Sequence, residues 1–295
     1  VKLTGVFCAR VRVEEKQIIT AFGDAGAVAM PVLPASVPMP PGPVSLPATP
    51  GSNAGNASID VNDPDLGAIV DRCTNRYVAE ATFALLRARG VQIIDAGLAS
   101  RGSRLDVARV LLEAGLPRPA TLIGFSEDSC NEAVRQLGTP CSLLSLKAVR
   151  GWTMMLDEDT AEAVIEHLMV LGTDAESVVL IQRGVPVESA VSTIHVVGGK
   201  AIAFDGAAPV GDAVALAEQA ATTLQAAIVT IQIATINGVQ VIWDVLPVAD
   251  FRQADLFGEQ TMGQAIAALA IAQDQTGSAW NGEVRHDHNG FAINA

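Results

Sequence analysis

The sequence predicts an α/β chain assembled from an N-terminal α/β lobe, a small mixed lobe and a larger antiparallel lobe. Three observations carry this. Apolar runs alternate with helical periodicity over residues 68–94, the signature of strands joined by crossover helices. Two tight-turn signals, Gly198-Gly199-Lys200 and Asn237-Gly238, each separate apolar runs, as antiparallel hairpins require. Between those hairpins, residues 212–226 are alanine-rich and strong in helix propensity.

Taken in order, residues 3–9 form an apolar run suited to a first strand, and residues 14–22 follow at helical spacing. The register then collapses into proline, so residues 31–56 read as a long loop lacking amide donors. A strand at 68–70, a helix at 77–89 ended by Gly90, and a strand at 91–94 come next. Residues 104–113 are helical up to Gly115, and residues 121–125 are an apolar segment. Ser126, with Glu127 and Asp128 behind it, caps a helix reaching Leu137. Strands at 143–147 and 152–156 flank a turn at Gly151, and a helix spans 160–171, its acidic start Asp157-Glu158-Asp159 suiting the helix dipole. A strand at 178–183 and hairpin strands at 192–197, 201–204, 228–236 and 239–245 complete the sheets. A last helix at 260–273 precedes a polar tail, 274–295.

With 295 residues, 49% of them hydrophobic, the chain can bury a substantial core. A net charge of −13 and the absence of a Lys/Arg cluster argue against nucleic acid, an anionic membrane or an acidic protein as partner. No apolar run reaches the roughly 18 residues that span a bilayer, and residues 1–7 lack a secretion signal, so a cytoplasmic location is expected. Cys8, Cys73, Cys130 and Cys141 show no C-x-x-C spacing and read as buried thiols. Serine-hydrolase, dinucleotide and P-loop motifs do not occur.

Particular stretches carry a family resemblance. Cys8-Ala9-Arg10-Val11-Arg12-Val13-Glu14-Glu15-Lys16, Val70-Asp71-Arg72-Cys73 and Leu116-Pro117-Arg118-Pro119 resemble, in this order, landmarks of the ATP-grasp superfamily in its RimK-type and lysine-biosynthesis branch of carboxylate–amine ligases. The resemblance covers residues 3–272 and implies the ATP-grasp fold, with a pre-ATP-grasp domain at 1–102, a small lobe at 103–185, a large lobe at 186–273 and the polar tail beyond. It further implies ATP between the lobes, its phosphates touched by two lysines and a glycine-rich loop, with magnesium held by acidic and amide side chains. A substrate carboxylate would attack the γ-phosphate, and an amine would displace the resulting acyl phosphate.

Set against this pattern, the first lysine becomes Arg104 and the second is matched by Lys147, with Gly151 the remnant of a shortened phosphate loop. Lys147 also reads as a strand-end lysine facing solvent. The adenine strand is matched by Gln182, Arg183 and Val185, Arg183 replacing a glutamate, and Thr193 or its neighbourhood stands where an arginine would clamp phosphate or substrate. At the metal site the aspartate becomes Gln232, the glutamate becomes Asp244 and the amide becomes Leu246. Asp244 with Gln232 would form a weakened magnesium site, or Asp244 is a hairpin-edge residue without a role. The resemblance implies a crevice lined by Lys147 and the Gln232/Asp244 hairpin.

Two functions follow from it. In one, ligase activity is impaired or lost and the protein regulates or scaffolds, as a homo-oligomer or beside an active relative, offering the apolar helices 212–226 and 260–273 as surfaces. In the other, a working ATP- and magnesium-dependent ligase joins an amino acid to a small carboxylate, with Arg104 and Lys147 on phosphate and Asp244 on the metal. His286-Asp287-His288 reads as solvated tail, His195 as a solvent-facing strand residue and His167 as decoration on a helix.

Overall fold

The computed structural model describes residues 3–34, 63, 65–147, 151–172, 177–184, 191–236, 238–248, 250–276, 284–286 and 292–294. Strand β1 (Leu3–Phe7), helix α1 (Val13–Asp24), strands β2 (Ala29–Val32) and β3 (Leu66–Asp71), helix α2 (Arg76–Ala88) and strand β4 (Gln92–Ile94) open the chain. Their strands form a parallel sheet in the order β2-β1-β3-β4. The proline-rich loop begins later than expected, because Pro31 and Val32 belong to β2. An edge strand tolerates a proline whose missing N–H faces away from its neighbour; residues 35–56 lie outside the described residues. Asn75 caps α2 by accepting the Val78 amide, and Phe7 meets Phe83 edge-on at 5.2 Å.

Short helices α3 (Leu98–Arg101) and α4 (Arg104–Glu113) lead to strand β5 (Thr121–Gly124), helix α5 (Glu127–Leu137), strands β6 (Cys141–Ser145) and β7 (Trp152–Met155), helix α6 (Glu158–Leu171) and strand β8 (Val179–Arg183). The strands pair antiparallel as β5-β8-β6-β7. Period-two alternation gives this sheet two different faces. Cys141, Leu143, Val179 and Ile181 meet α5 and α6 in one apolar layer. Ser142, Leu144, Leu180 and Gln182 occupy the other face and are equally buried.

Strands β9 (Val191–Val197) and β10 (Lys200–Gly206), helix α7 (Ala213–Thr223), strands β11 (Ile228–Ile236), β12 (Val239–Leu246) and β13 (Asp255–Leu256), and helix α8 (Met262–Thr276) build the largest sheet, ordered β12-β11-β9-β10-β13. Ile194, Val196, Val229 and Ile231 pack under α7 together with Val107 and Leu111 of α4. On the opposite face Val197 and Ile228 join Ile18 and Phe22 of α1, Val70 of β3 and Ile266 of α8, so the first and last sheets share a core. Gly97 sits at this junction with φ +55°, and a Cβ there would lie 2.2 Å from the Leu224 carbonyl oxygen.

Several expectations are corrected here. The apolar faces of α7 and α8 are consumed within the fold, against the sheet and α1, and are not free surfaces. The last helix continues to Thr276, and strands β14 (Val284–His286) and β15 (Ala292–Asn294) pair antiparallel within the expected tail. His286 lies in β14, while Asp287 and His288 are outside the described residues. His195 is fully buried, because β9 is an inner strand covered on both faces. Its Nδ1 lies 2.9 Å from Thr230 Oγ1 and its Nε2 2.6 Å from Asp205 Oδ2. No helix among the described residues is long and apolar enough to cross a membrane.

Candidate functional site

A cleft of about 700 Å³ opens between the edge strand β7 and the largest sheet. Gly151, Trp152, Thr153 and Met154 line one side, and Val191, Thr193, Gly206 and Gln232 the other. Of the residues the resemblance assigns to the site, Gln232, Gly151 and Thr193 line this cleft. Lys147 and Asp244 are turned to other partners.

The reason begins with a register shift in the last hairpin. Gln232 opposes Asp244 and Ile233 opposes Ile242, which leaves Trp243 as an extra residue. Such a bulge interrupts the alternation of faces. Ile242 and Val245 enter the apolar layer under α7. Trp243 joins Val191, Ala234 and Val241 on the cleft side, where it meets Trp152 of β7 edge-on at 5.8 Å and 80°. Asp244 follows on the same side as Gln232 and is 2% exposed.

Arg104 is the first residue of α4. Ser103 caps that helix by accepting the Asp106 amide, and the Asp106 carboxylate accepts the Ser103 N–H at 2.8 Å. This reciprocal cap fixes where the arginine begins, and hydrogen bonds from Ser103 hold the Asp106 carboxyl below the usual range. The buried Arg104 side chain donates from Nε to Asp244 Oδ1 at 2.9 Å and from Nη2 to Asp244 Oδ2 at 2.5 Å. Its Nη1 donates to the carbonyls of Ser145 and Lys147. Both carboxylate oxygens therefore face a guanidinium in two-pronged geometry. Asp244 is not the idle edge residue of the simpler reading; it anchors an ion pair linking positions 140 apart in sequence.

Lys147 projects elsewhere, its Nζ 2.9 Å from Glu80 Oε2 on α2, with both side chains partly exposed. Gln182 is fully buried on the inner face of its sheet; it accepts from Arg118 Nη2 at 3.0 Å and donates to the Trp243 carbonyl at 3.4 Å. Arg183 points to the opposite side and donates to the Leu137 carbonyl. Val185 lies outside the described residues.

Sequence reasoning named Arg118 as a landmark and missed it as a site residue. Pro117 and Pro119 restrict the backbone on either side of it, and the Pro117 carbonyl accepts the Ile242 N–H of β12, tying Arg118 beside Asp244. An arginine held between two prolines in a chain with only 19 basic residues was the available signal. Trp152, Trp243 and the His195–Asp205 pair carried no comparable mark.

Magnesium accepts one or two carboxylates plus water and phosphate oxygens, but both Asp244 oxygens are taken by Arg104, and the described lining of the cleft offers the neutral side chains of Gln232 and Thr193 and no carboxylate. Among the described residues no three His, Cys, Asp or Glu side chains gather as a metal site. Magnesium does not fit this arrangement. The cleft has the volume for a nucleotide-sized molecule.

No protein-family model matches the chain. Solved structures do. The RimK domain ATP-grasp protein from Sphaerobacter thermophilus DSM 20745 is similar over 91% of this chain and 99% of its own, at TM-score 0.71 and 24% identity. The ATP-grasp ligase PsnB, complexed with minimal precursor, Mg and ADP, matches over 92% and 98% at TM-score 0.61 and 16% identity. The D-alanine–D-alanine ligase from Bacillus anthracis matches over 96% and 94% at TM-score 0.55 and 12% identity. Agreement over nearly the whole of both chains, with the three-sheet arrangement described above, establishes that the chain has the ATP-grasp fold.

Proposed function

We propose that this chain is a relative of the ATP-dependent carboxylate–amine ligases in which magnesium-dependent phosphoryl transfer has been lost, and that it serves a regulatory or scaffolding role. The observation carrying this reading is the Arg104–Asp244 pair. In a ligase the carboxylate at this hairpin would hold a divalent cation against the phosphates; here the protein's own guanidinium saturates it. A buried carboxylate already bonded in two-pronged fashion must break that pair before it can take a metal, at a cost of roughly 3–5 kcal/mol. Lys147, the other expected phosphate contact, rests on Glu80.

Phosphoryl transfer without a metal would need other positive charge at the developing transition state. The described lining of the cleft contains none, since Gly151, Thr193 and Gln232 are neutral. The side chains that reach the cleft can bind and orient a ligand, and its Trp152 wall can exclude water. On this reading the protein works in the cytoplasm, alone as a homo-oligomer or with an active ligase.

The test is ADP release from Mg-ATP in the presence of mixed amino acids and small carboxylates. The expected result is no release above the protein-free background. Magnesium-dependent release that Lys147→Ala abolishes would restore the other reading, a working ligase acting through an acyl phosphate.

A further inference from the structure

Helix α1 carries a stripe that its own chain leaves unused. Val13, Lys16, Gln17, Thr20, Ala21 and Asp24 recur at helical spacing along a groove of about 570 Å³, which shares no lining residue with the cleft between the sheets. The groove is also lined by the buried Phe251 and Met262 and by the exposed Leu256 of β13. Lys16, Thr20 and Asp24 are exposed and stand in one row, each four residues from the next. Among the described residues neither Lys16 nor Asp24 enters an ion pair. The positions three and four away from Lys16 hold no carboxylate, and those three and four away from Asp24 hold no cation. Asp24 is moreover the last residue of α1, where the helix dipole disfavours a carboxylate. Two opposite charges, spaced evenly about Thr20 and without local partners, are complementary to the same stripe run in the opposite direction.

We propose that this groove receives α1 of a second copy of the chain, in a two-fold dimer whose axis passes beside Thr20. A two-fold contact sets the same patch against itself, so Lys16 faces the partner's Asp24 and Asp24 faces the partner's Lys16. Gln17 comes against the partner's Gly23, a long side chain over a position with open space in its Cβ direction. Thr20 and Ala21 are small enough for the two helices to approach to about 8 Å. Val13, 54% exposed, and Leu256, 41% exposed, are the apolar side chains that such a contact covers. The helix has 12 residues and is about 18 Å long. A contact of that length lies at the small end of specific interfaces, below about 1,200 Å² in total, so the dimer assembles at micromolar concentration. This inference gives the homo-oligomer of the functional reading its surface, and it holds whether or not phosphoryl transfer is lost.

Sedimentation of the full chain over a range of micromolar concentrations tests this, at about 0.15 M salt, where a screening length of about 8 Å mutes the repulsion between two chains of charge −13. The expected result is a reversible monomer–dimer equilibrium. Lys16→Asp and Asp24→Lys each turn two attractions into repulsions and should weaken the dimer about tenfold or more. The double variant restores both attractions with the signs exchanged and should return to within about threefold of the wild type. All these side chains are exposed, so the variants keep their fold. Thr20→Cys should give a disulfide-linked dimer in air-oxidised buffer, because a residue on the axis meets its own copy and the native cysteines are buried. A monomer at every concentration, single variants that associate like the wild type, or a double variant as weak as the singles would overturn the proposal. Association that leaves Thr20→Cys unlinked would assign the contact to another face and overturn it as well. ADP release from Mg-ATP tests the loss of phosphoryl transfer separately, and neither outcome decides the other.

Discussion

Breaking the Arg104–Asp244 pair from each side separately should give unequal losses. Both side chains are at least 96% buried, and two hydrogen bonds join them. In Asp244→Leu, Arg104 and Arg118 are left together in the interior with no carboxylate; a buried charge stripped of its partner costs about 3–5 kcal/mol, and the second guanidinium places this variant at the upper end. In Arg104→Met, Asp244 keeps the Val245 N–H at 2.9 Å and the field of Arg118, so the loss should be smaller, about 2–3 kcal/mol. The double variant removes both charges and should recover to within about 1–2 kcal/mol of the wild type, because well-packed apolar residues often replace a buried pair without loss. Urea unfolding followed by tryptophan emission reads the sequence of stabilities, since Trp243 adjoins Asp244 in β12 and meets the Trp152 ring edge-on. The reasoning is refuted if the two single losses simply add in the double variant to within about 0.5 kcal/mol, or if Arg104→Met is the more damaging.

Glu80→Ala should change stability by less than about 1 kcal/mol, because the Lys147 pair is partly exposed and screened; a larger loss in thermal melts would show that the pair holds the lobes together. Gly97→Ala should destabilise by more than about 2 kcal/mol in the same melts, combining a left-handed backbone with a Cβ driven against the Leu224 and Gln225 carbonyls, and near-neutrality would contradict this junction. Hydrogen bonding to Arg252, foremost, holds the Asp250 carboxyl down at about 2 against an ordinary 3.8. Its stabilising contribution is complete above about pH 4 and disappears as pH falls from there through 2. Arg252→Gln should return the carboxyl toward its ordinary range in an NMR titration, and an unmoved value would exclude this cause.

The sequence by itself determined the order and kind of most elements, because periodicity and turn chemistry are local. The alternation at 228–245 around Asn237-Gly238 sufficed for the last hairpin, and Ser126 with its acidic followers sufficed for the start of α5. Landmark stretches carried the fold, which depends on many weak signals in the right order. Tertiary structure alone decided what the charged residues do. Alternation told that His195 faces away from Ile194 and Val196, but only the strand order β12-β11-β9-β10-β13 puts it on an inner strand whose second face is covered. A one-residue bulge, invisible in composition, turned Trp243 and Asp244 to the same side. Arg104 and Asp244 each looked like half of a nucleotide site, and each answers to the other across 140 positions. Whether a charge is free for a ligand depends on its neighbour in space, and no local pattern encodes that distance.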